Sequence, residues 1–244
     1  MFSPVVVLAG SFQQAWKEAT LQLSRRGWRT RNLVVHIEDP VACDDVFHSE
    51  VTSFASDHGL LSPKQVAYTI FPHGLYDGSG TYAELFDAYN RPGGMRERVH
   101  RRARRWGTYF GRMTCYGRGE DKTNQLSDII EAINSRAAVH TSAYTVTIPY
   151  PGTDCARVMG GPCLNHVAIQ LEKQGDEKVL GLLATYRNHD FVRRAYGNYW
   201  GLCNLCRFLA TETDAKAGPI TCISSNAYVG ELKTDLSSLL ELLP

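Results

Sequence analysis

Apolar residues recur every three or four positions in several segments of the chain, the spacing that one face of a helix requires. The two clearest segments, 11–26 and 121–134, each predict an amphipathic helix packed on a core. Weaker patterns predict further helices at 63–71, 81–89, 96–106 and 231–243, and a long, mostly apolar helical region at 188–213.

A second set of segments is rich in β-branched and aromatic residues, which favours strands. These segments are 32–37, 139–148, 166–171, 179–186 and 220–223. Helices and strands are grouped rather than strictly alternating, so we expect an α+β fold with a mixed β-sheet covered by helices. Because no linker rich in Pro, Gly or Ser divides the chain, we expect one domain spanning residues 1–244.

Composition and charge narrow the class of protein. Hydrophobic residues make up 43% of the 244 residues and the net charge is +1, so no overall field attracts nucleic acid or a membrane. No run approaches the ~20 apolar residues of a membrane span, and the first residues do not form a signal peptide. The odd cysteine count, 7, fits a reducing compartment. We therefore expect a cytoplasmic protein that binds no membrane and no nucleic acid.

Cys163 is the first candidate for chemistry. It follows the turn Gly160-Gly161-Pro162 and precedes a predicted strand, a position where the backbone can expose a sulfur atom. A nearby cation or backbone dipole would then lower the thiol pKa and make it a nucleophile. The alternative is a buried structural cysteine, because free cysteine is among the most buried residue types.

A polar cluster, 186–190, directly follows another predicted strand. Arg187 offers a planar fork suited to phosphate. Asp190 and Asn198 are about two helical turns apart, so they would share a face, and the amide of Asn198 matches the edge of uracil. The alternative is a helix N-terminus with Asn188 as its cap and solvated charges around it.

Taken together, these motifs resemble the superfamily of thymidylate synthases and pyrimidine nucleotide hydroxymethylases. The superfamily pattern is Pro-Cys-His, a strand, Gln-Arg-Ser-x-Asp, and an asparagine eight residues after that aspartate. The resemblance implies Cys163 as nucleophile, His166 as the family histidine two residues late, and Asp190 in the network at the base. It also implies nucleotide binding by Arg187, Asn188 and Asn198.

Further stretches agree with this resemblance. The helix ending at Ser135-Arg136 is similar to one whose arginine reaches the partner subunit's phosphate in a sheet-to-sheet homodimer. Asn226 and Tyr228 stand in a motif that binds the sugar. Tyr116 resembles a tyrosine of the active-site wall, and Trp106 is the best counterpart of the tryptophans beside folate.

The chain also departs from the superfamily. The early helix has no glutamate in the expected context; Glu50 and Glu84 are the nearest. The chain ends sixteen residues after Tyr228, where the family continues into a segment that closes over folate. The missing closing segment slightly favours hydroxymethylation, or an incomplete half-reaction, over methylation, because an open site admits water.

The resemblance implies a thymidylate synthase-like fold and one-carbon transfer to C5 of a uridylate-type nucleotide, with 5,10-methylenetetrahydrofolate as cofactor. A nucleotide-binding sensor or assembly module, a nucleotide-modifying enzyme that does not use folate, and an RNA-binding protein remain as alternatives. The RNA alternative depends on six arginines at 96–105, which we interpret as a solvated helix face. The pair Cys203 and Cys206 is interpreted as core packing rather than a metal site, since no second pair of ligands has matching spacing.

Overall fold

A seven-stranded mixed β-sheet organises the molecule. The computed structural model describes residues 3–76, 78–98, 106–119, 121–136, 138–140 and 142–244. The strands of the large sheet are β1 (Val5–Ala9), β2 (Arg29–Ile37), β5 (Tyr144–Thr147), β6 (Leu164–Gln174), β7 (Glu177–Tyr186), β8 (His189–Asp190) and β9 (Lys216–Tyr228). A separate two-stranded ribbon consists of β3 (Tyr116–Arg118) and β4 (Asp121–Thr123).

The strand order of the large sheet is β1-β2-β9-β7-β6-β5, with β8 beside β9. β1 is parallel to β2, and β9 is parallel to both β7 and β8. The remaining neighbours are antiparallel. The sheet is therefore mixed, as the sequence predicts.

The helices are α1 (Phe12–Ser24), α2 (Asp45–Asp57), α3 (Pro63–Ala67), α4 (Tyr82–Asn90), α5 (Tyr109–Thr114), α6 (Gln125–Asn134), α7 (Pro151–Asp154), α8 (Tyr196–Glu212) and α9 (Lys233–Leu242). A short 3₁₀ turn covers His73–Leu75, and a π-helix, Phe191–Ala195, leads into α8. Residues 95–98 are helical. Side-chain caps begin several helices: the hydroxyl of Ser11, for example, accepts from the Gln14 N–H at 3.2 Å.

One face of the sheet is buried. Helix α1 packs on β1 and β2, and α8 packs on β7 and β9. A row of directly paired side chains crosses this covered face, and each of its members is at most 6% exposed: Val7, Val35, Cys222, Ala184, Val167 and Val146.

The opposite face is more exposed: Ala168 is the one buried residue among the twelve paired residues that cross it. Two paired rows cross it. The first consists of Leu8, His36, Thr221, Leu183, Ala168 and Thr145. The second consists of Val6, Val34, Ile223, Thr185, His166 and Thr147. Val6 and Leu8 are 59% and 68% exposed. We call these two rows the open face.

Most predicted elements are present, with differences at their ends. The strand predicted at 139–148 begins at Tyr144, and the helix predicted at 121–134 begins at Gln125, because residues 121–123 pair with β3 instead. The region predicted as one helix at 188–213 opens with β8 and the π-helix. Strand β1 and helix α2 were not predicted. Most of the helix predicted at 96–106 lies outside the described residues.

Candidate functional site

A cavity of about 730 Å³ opens where β7, β8 and β9 end. Its lining comes from widely separated parts of the chain, which the sheet brings to one edge. The lining residues are Thr69, Trp106, Tyr109, Arg157, Met159, Gly160, Gly161, Cys163, Asn188, His189, Asp190, Arg193, Arg194, Asn198 and Tyr228. Six residues that the sequence nominates are among them: Trp106, Cys163, Asn188, Asp190, Asn198 and Tyr228.

Cys163 stands at the entrance to β6, half-buried at the cavity wall. Its carbonyl accepts from the Arg187 N–H at 2.9 Å, and its own N–H donates to the hydroxyl of Tyr109 at 3.3 Å. Gly160, with φ of +72°, makes the preceding turn in a conformation that favours glycine. The backbone on both sides of the thiol is thus fixed.

Asn198 projects from α8 into the cavity wall and is only 3% exposed. Its Nδ2 lies 3.1 Å from Nε2 of His189, and Nδ1 of His189 lies 2.9 Å from the hydroxyl of Ser224. Burial lowers the pKa of His189 from 6.5 to about 3, so its imidazole is neutral at physiological pH. His189 received no role from the sequence, although it stands inside the motif 186–190. Its buried position on β8 was the missing information.

A second network links the sugar-binding candidates. The amide of Asn226 donates to the side-chain oxygen of Asn188 at 2.6 Å. The hydroxyl of Tyr228 lies close enough to Asn188 and Asp190 for both side chains to affect its pKa. Burial raises the pKa of this hydroxyl, and the Asp190 carboxylate raises it further. The same carboxylate accepts from the backbone N–H groups of Val192 and Arg193, at 3.1 and 2.9 Å, and so caps the π-helix.

Three arginines give the cavity positive charge. Arg157 lies on the loop before Cys163, and Arg193 and Arg194 follow from the π-helix. Arg193 also pairs with the exposed Glu231 at 2.5 Å. Asp190 is the one carboxylate among the lining residues described, so the cavity suits an anionic ligand. Sequence reasoning missed these arginines as ligand contacts, because nothing in their spacing shows that two distant segments meet.

Arg187, the predicted phosphate ligand, braces the loop instead of lining the cavity. Its Nε donates to the carbonyl of Pro162 at 3.0 Å, and Nη1 donates to the carbonyl of Arg157. A Cβ added to Gly161 would lie 3.2 Å from Nη2 of Arg187, so a larger residue at 161 would crowd the guanidinium.

Four other nominated residues also lie outside the cavity lining: Asn226, which bonds to Asn188 as described above, and Tyr116, His166 and Arg136. The hydroxyl of Tyr116 donates to the carbonyl of Pro149 at 2.7 Å. His166 belongs to the open face. Arg136 is exposed at the end of α6, with Nη1 3.4 Å from the hydroxyl of Tyr144.

Trp106 lines the cavity, and neighbouring side chains pack against its ring. Its ring is 4.9 Å from that of Tyr109, and the guanidinium of Arg112 lies 5.5 Å from the tryptophan ring. Arg112 in turn forms a buried ion pair with Asp154 at 2.5 Å. This support holds an aromatic face at the site.

The remaining sequence features lie elsewhere. Glu84 caps α4 through Thr81 and Glu50 is exposed on α2, so neither lines the cavity. Cys203 and Cys206 are buried in α8, which confirms the core interpretation, and burial raises the pKa of Cys206 to about 12. Within the described ranges no cluster of three or more His, Cys, Asp or Glu side chains is arranged to bind a metal ion. Most of the arginine segment 96–105 lies outside those ranges.

Comparison with known proteins gives no relative. No protein-family model matches the chain, and no curated protein matches it with significant similarity. In the described part of the chain, every helix is too short or too polar to cross a bilayer.

Proposed function

We propose that this protein transfers a one-carbon unit to C5 of a pyrimidine nucleotide, through a covalent adduct between Cys163 and C6 of the base. The observation that carries the proposal is the cavity itself. It gathers a half-buried thiol, a buried asparagine and the Asn188–Tyr228–Asp190 network around one space of about 730 Å³. That volume lies within the range of small-molecule and cofactor sites.

The chemistry assigns one role to each group. The reaction requires Cys163 as a thiolate, because the thiolate is the nucleophilic form of cysteine. The thiolate forms the Sγ–C6 bond, and the electron pair of the C5–C6 double bond moves toward C5 and the O4 oxygen. A hydrogen bond from the amide of Asn198 stabilises the charge on O4. C5 then gains the one-carbon unit and its proton passes to solvent water. The electron pair left at C5 re-forms the C5–C6 double bond as the Sγ–C6 bond breaks, which restores the thiolate.

The cavity fits methylenetetrahydrofolate in two respects. Trp106 presents an aromatic surface suited to a flat pteridine, and the arginines suit its anionic glutamate. When bound, this cofactor supplies the one-carbon unit and, for a methyl product, the hydride. The three arginines suit the nucleotide phosphate equally, so the two ligands would divide the charge between them.

Tritium release from C5-labelled dUMP, UMP, dCMP and CMP, with and without methylenetetrahydrofolate, tests the proposal. We expect release from one nucleotide in the wild type and none in Cys163→Ala. Cys43→Ala, which removes an exposed thiol that does not line the cavity, should retain the wild-type rate. Mass spectrometry of the product then separates a methyl from a hydroxymethyl group.

A binding module is the second candidate, favoured by the single carboxylate among the described lining residues and by the two donors that Arg187 uses on the loop before β6. If the protein is a binding module, Cys163→Ala should still bind the nucleotide, and the wild type should release no tritium from any of the four nucleotides. That pair of results would reject the transferase and leave the nucleotide site in place.

A homodimer joined through the open face is part of the same proposal. Its support is the pair of more exposed rows, in which leucine, isoleucine and valine side chains stand among threonines. Apolar surface of this kind on a sheet marks an interaction site. Arg136, exposed and outside the cavity of its own chain, would then serve the phosphate in the partner's cavity.

A further inference from the structure

The amide of Asn198 has two orientations that recognise different bases. Uracil offers a donor at N3 and an acceptor at O4, whereas cytosine offers an acceptor at N3 and a donor at N4. An amide can pair with either edge, but a half-turn about its last bond is needed to change from one to the other. Whatever fixes the orientation of the amide therefore selects the base.

His189 is placed to fix that orientation. Its Nε2 lies 3.1 Å from Nδ2 of Asn198, and its Nδ1 lies 2.9 Å from the hydroxyl of Ser224. Asn198, His189 and Ser224 are 3%, 1% and 1% exposed, so water does not compete for these bonds.

A neutral imidazole has one donor and one acceptor, so the two bonds of His189 are coupled. When Nδ1–H donates to Ser224, Nε2 accepts from the amide nitrogen of Asn198. The other N–H and the carbonyl of that amide are then oriented to pair with uracil. The opposite tautomer would require the amide carbonyl to face His189, which is the orientation that pairs with cytosine.

The ring of His189 is also prevented from turning. It stacks on Tyr186 with a centroid distance of 4.1 Å and an interplanar angle of 5°. The ring of Tyr199 meets it edge-on at 5.5 Å. Because the ring plane is held, only the tautomer remains to be chosen. The amide nitrogen of Asn198 beside Nε2 requires the tautomer with its proton on Nδ1, and the Ser224 hydroxyl is the acceptor for that proton.

We propose that His189, oriented by Ser224, is a positioning residue that holds the amide of Asn198 for uracil and against cytosine. The inference rests on the proposed function, since it takes a pyrimidine as the ligand of the cavity. It adds a determinant of specificity that does not itself contact the base.

Calorimetric binding of dUMP, dCMP, UMP and CMP tests the proposal in wild type, Ser224→Ala, His189→Gln and Ser225→Ala. We expect the wild type to prefer the uracil nucleotide by on the order of tenfold or more. Ser224→Ala and His189→Gln should narrow that preference to about threefold or less, because the amide can then adopt both orientations. Ser225→Ala changes the next, exposed residue of β9 and should retain the wild-type preference.

The outcomes separate the two proposals. Failure of the folded wild type to bind any of the four nucleotides would reject the pyrimidine function. A uracil preference that stays at its wild-type value in both Ser224→Ala and His189→Gln, or a wild-type preference for cytosine, would reject only the role of His189.

Nitrogen NMR of ¹⁵N-histidine-labelled protein gives a readout that needs no nucleotide. His189 should carry its proton on Nδ1, and Ser224→Ala should change the Nδ1 and Nε2 shifts toward a mixture of tautomers. Wild-type nitrogen shifts that place the proton of His189 on Nε2 would overturn the proposal, even if the binding data agreed with it.

Discussion

The two faces of the large sheet are built from the same strands but differ in what covers them. On the covered face, the row from Val7 to Val146 is sealed by α1 and α8. On the open face, Val6 and Leu8 are more than half exposed, and the residues between them and β5 are largely threonine, histidine and aliphatic. Adjacent residues of one strand, such as Leu182 and Leu183, thus have different surroundings despite identical chemistry.

This difference shows that residue type alone does not reveal which leucines form the core. The open face of a sheet that only met water would alternate polar residues with the buried ones. Here it retains aliphatic residues in both rows, which is the composition that the proposed dimer surface requires.

Complementation between two inactive variants has the largest expected effect. Cys163→Ala and Arg136→Ala should each abolish or severely reduce tritium release. Mixing them after dissociation and reassociation should restore about a quarter of wild-type activity, since half the dimers are mixed and each has one complete site. The control is either variant treated alone. Failure to recover activity from mixtures that do exchange subunits would remove Arg136 from the partner's site.

A charge on the open face should dissociate the dimer. In a symmetric dimer, Leu183→Arg places one arginine from each subunit in the buried interface, near the other or against apolar side chains. We expect the dissociation constant of the dimer to rise about 100-fold or more. Analytical ultracentrifugation measures this directly. The matched control is Lys178→Arg on the same strand, which keeps the charge. A wild type that is monomeric at all concentrations would contradict the proposed use of this face.

Truncation on the covered face should affect folding instead. Leu182 is 1% exposed beneath α8, so Leu182→Ala should lower the free energy of unfolding by about 2–5 kcal/mol. Leu183→Ala, one residue away, should cost about 1 kcal/mol or less under conditions that keep the chain monomeric. Urea unfolding at low protein concentration compares the two. Equal losses would mean that the open face is packed as tightly as the covered one.

The smallest expected effect is a difference between His189 and His166 in how they change the pH dependence of stability. The folded-state pKa of His189, about 3, lies below its ordinary value of 6.5, so below pH 6.5 the unfolded chain binds a proton that the folded chain does not. The contribution of His189 to the free energy of unfolding is complete above pH 6.5 and is lost as the pH falls toward 3. The loss amounts to about 2 kcal/mol between pH 7 and pH 5. His189→Gln should remove this part of the pH dependence. His166→Gln, on the open face, should leave it in place.

The periodicity of the sequence is sufficient to predict those helices and strands that have one strongly apolar side. Helices α1 and α6 and strand β7 lie close to their predicted ranges, because their buried residues dominate their patterns. Helix α2 was missed because only Phe47, Val51 and Ala55 are buried on an otherwise polar segment. Strand β1 was missed because Val6 and Leu8 fill its exposed positions, so the expected polar alternation is absent.

The site was predictable only as far as its motifs extend. Cys163, Asp190 and Asn198 were nominated from their order and spacing, and all three line one cavity. Arg157 and His189 acquire their positions from the loop before β6 and from β8, which no local pattern specifies. Arg187 is predicted to bind phosphate, yet two of its donors face the carbonyls of Pro162 and Arg157 on the loop before β6, because tertiary contacts decide where a long side chain points.

The placement of β9 has a consequence for the folding of the chain. β9 lies between β2 and β7, and its pairing with β2 joins distant residues such as His36 and Thr221, which are 185 positions apart in the chain. The β1–β2 unit therefore meets the rest of the sheet only through a strand of high contact order, which slows folding. Until β9 inserts, β2 and β7 each keep an unpaired edge, and the nascent sheet is a template for misassociation that chaperones would need to shield.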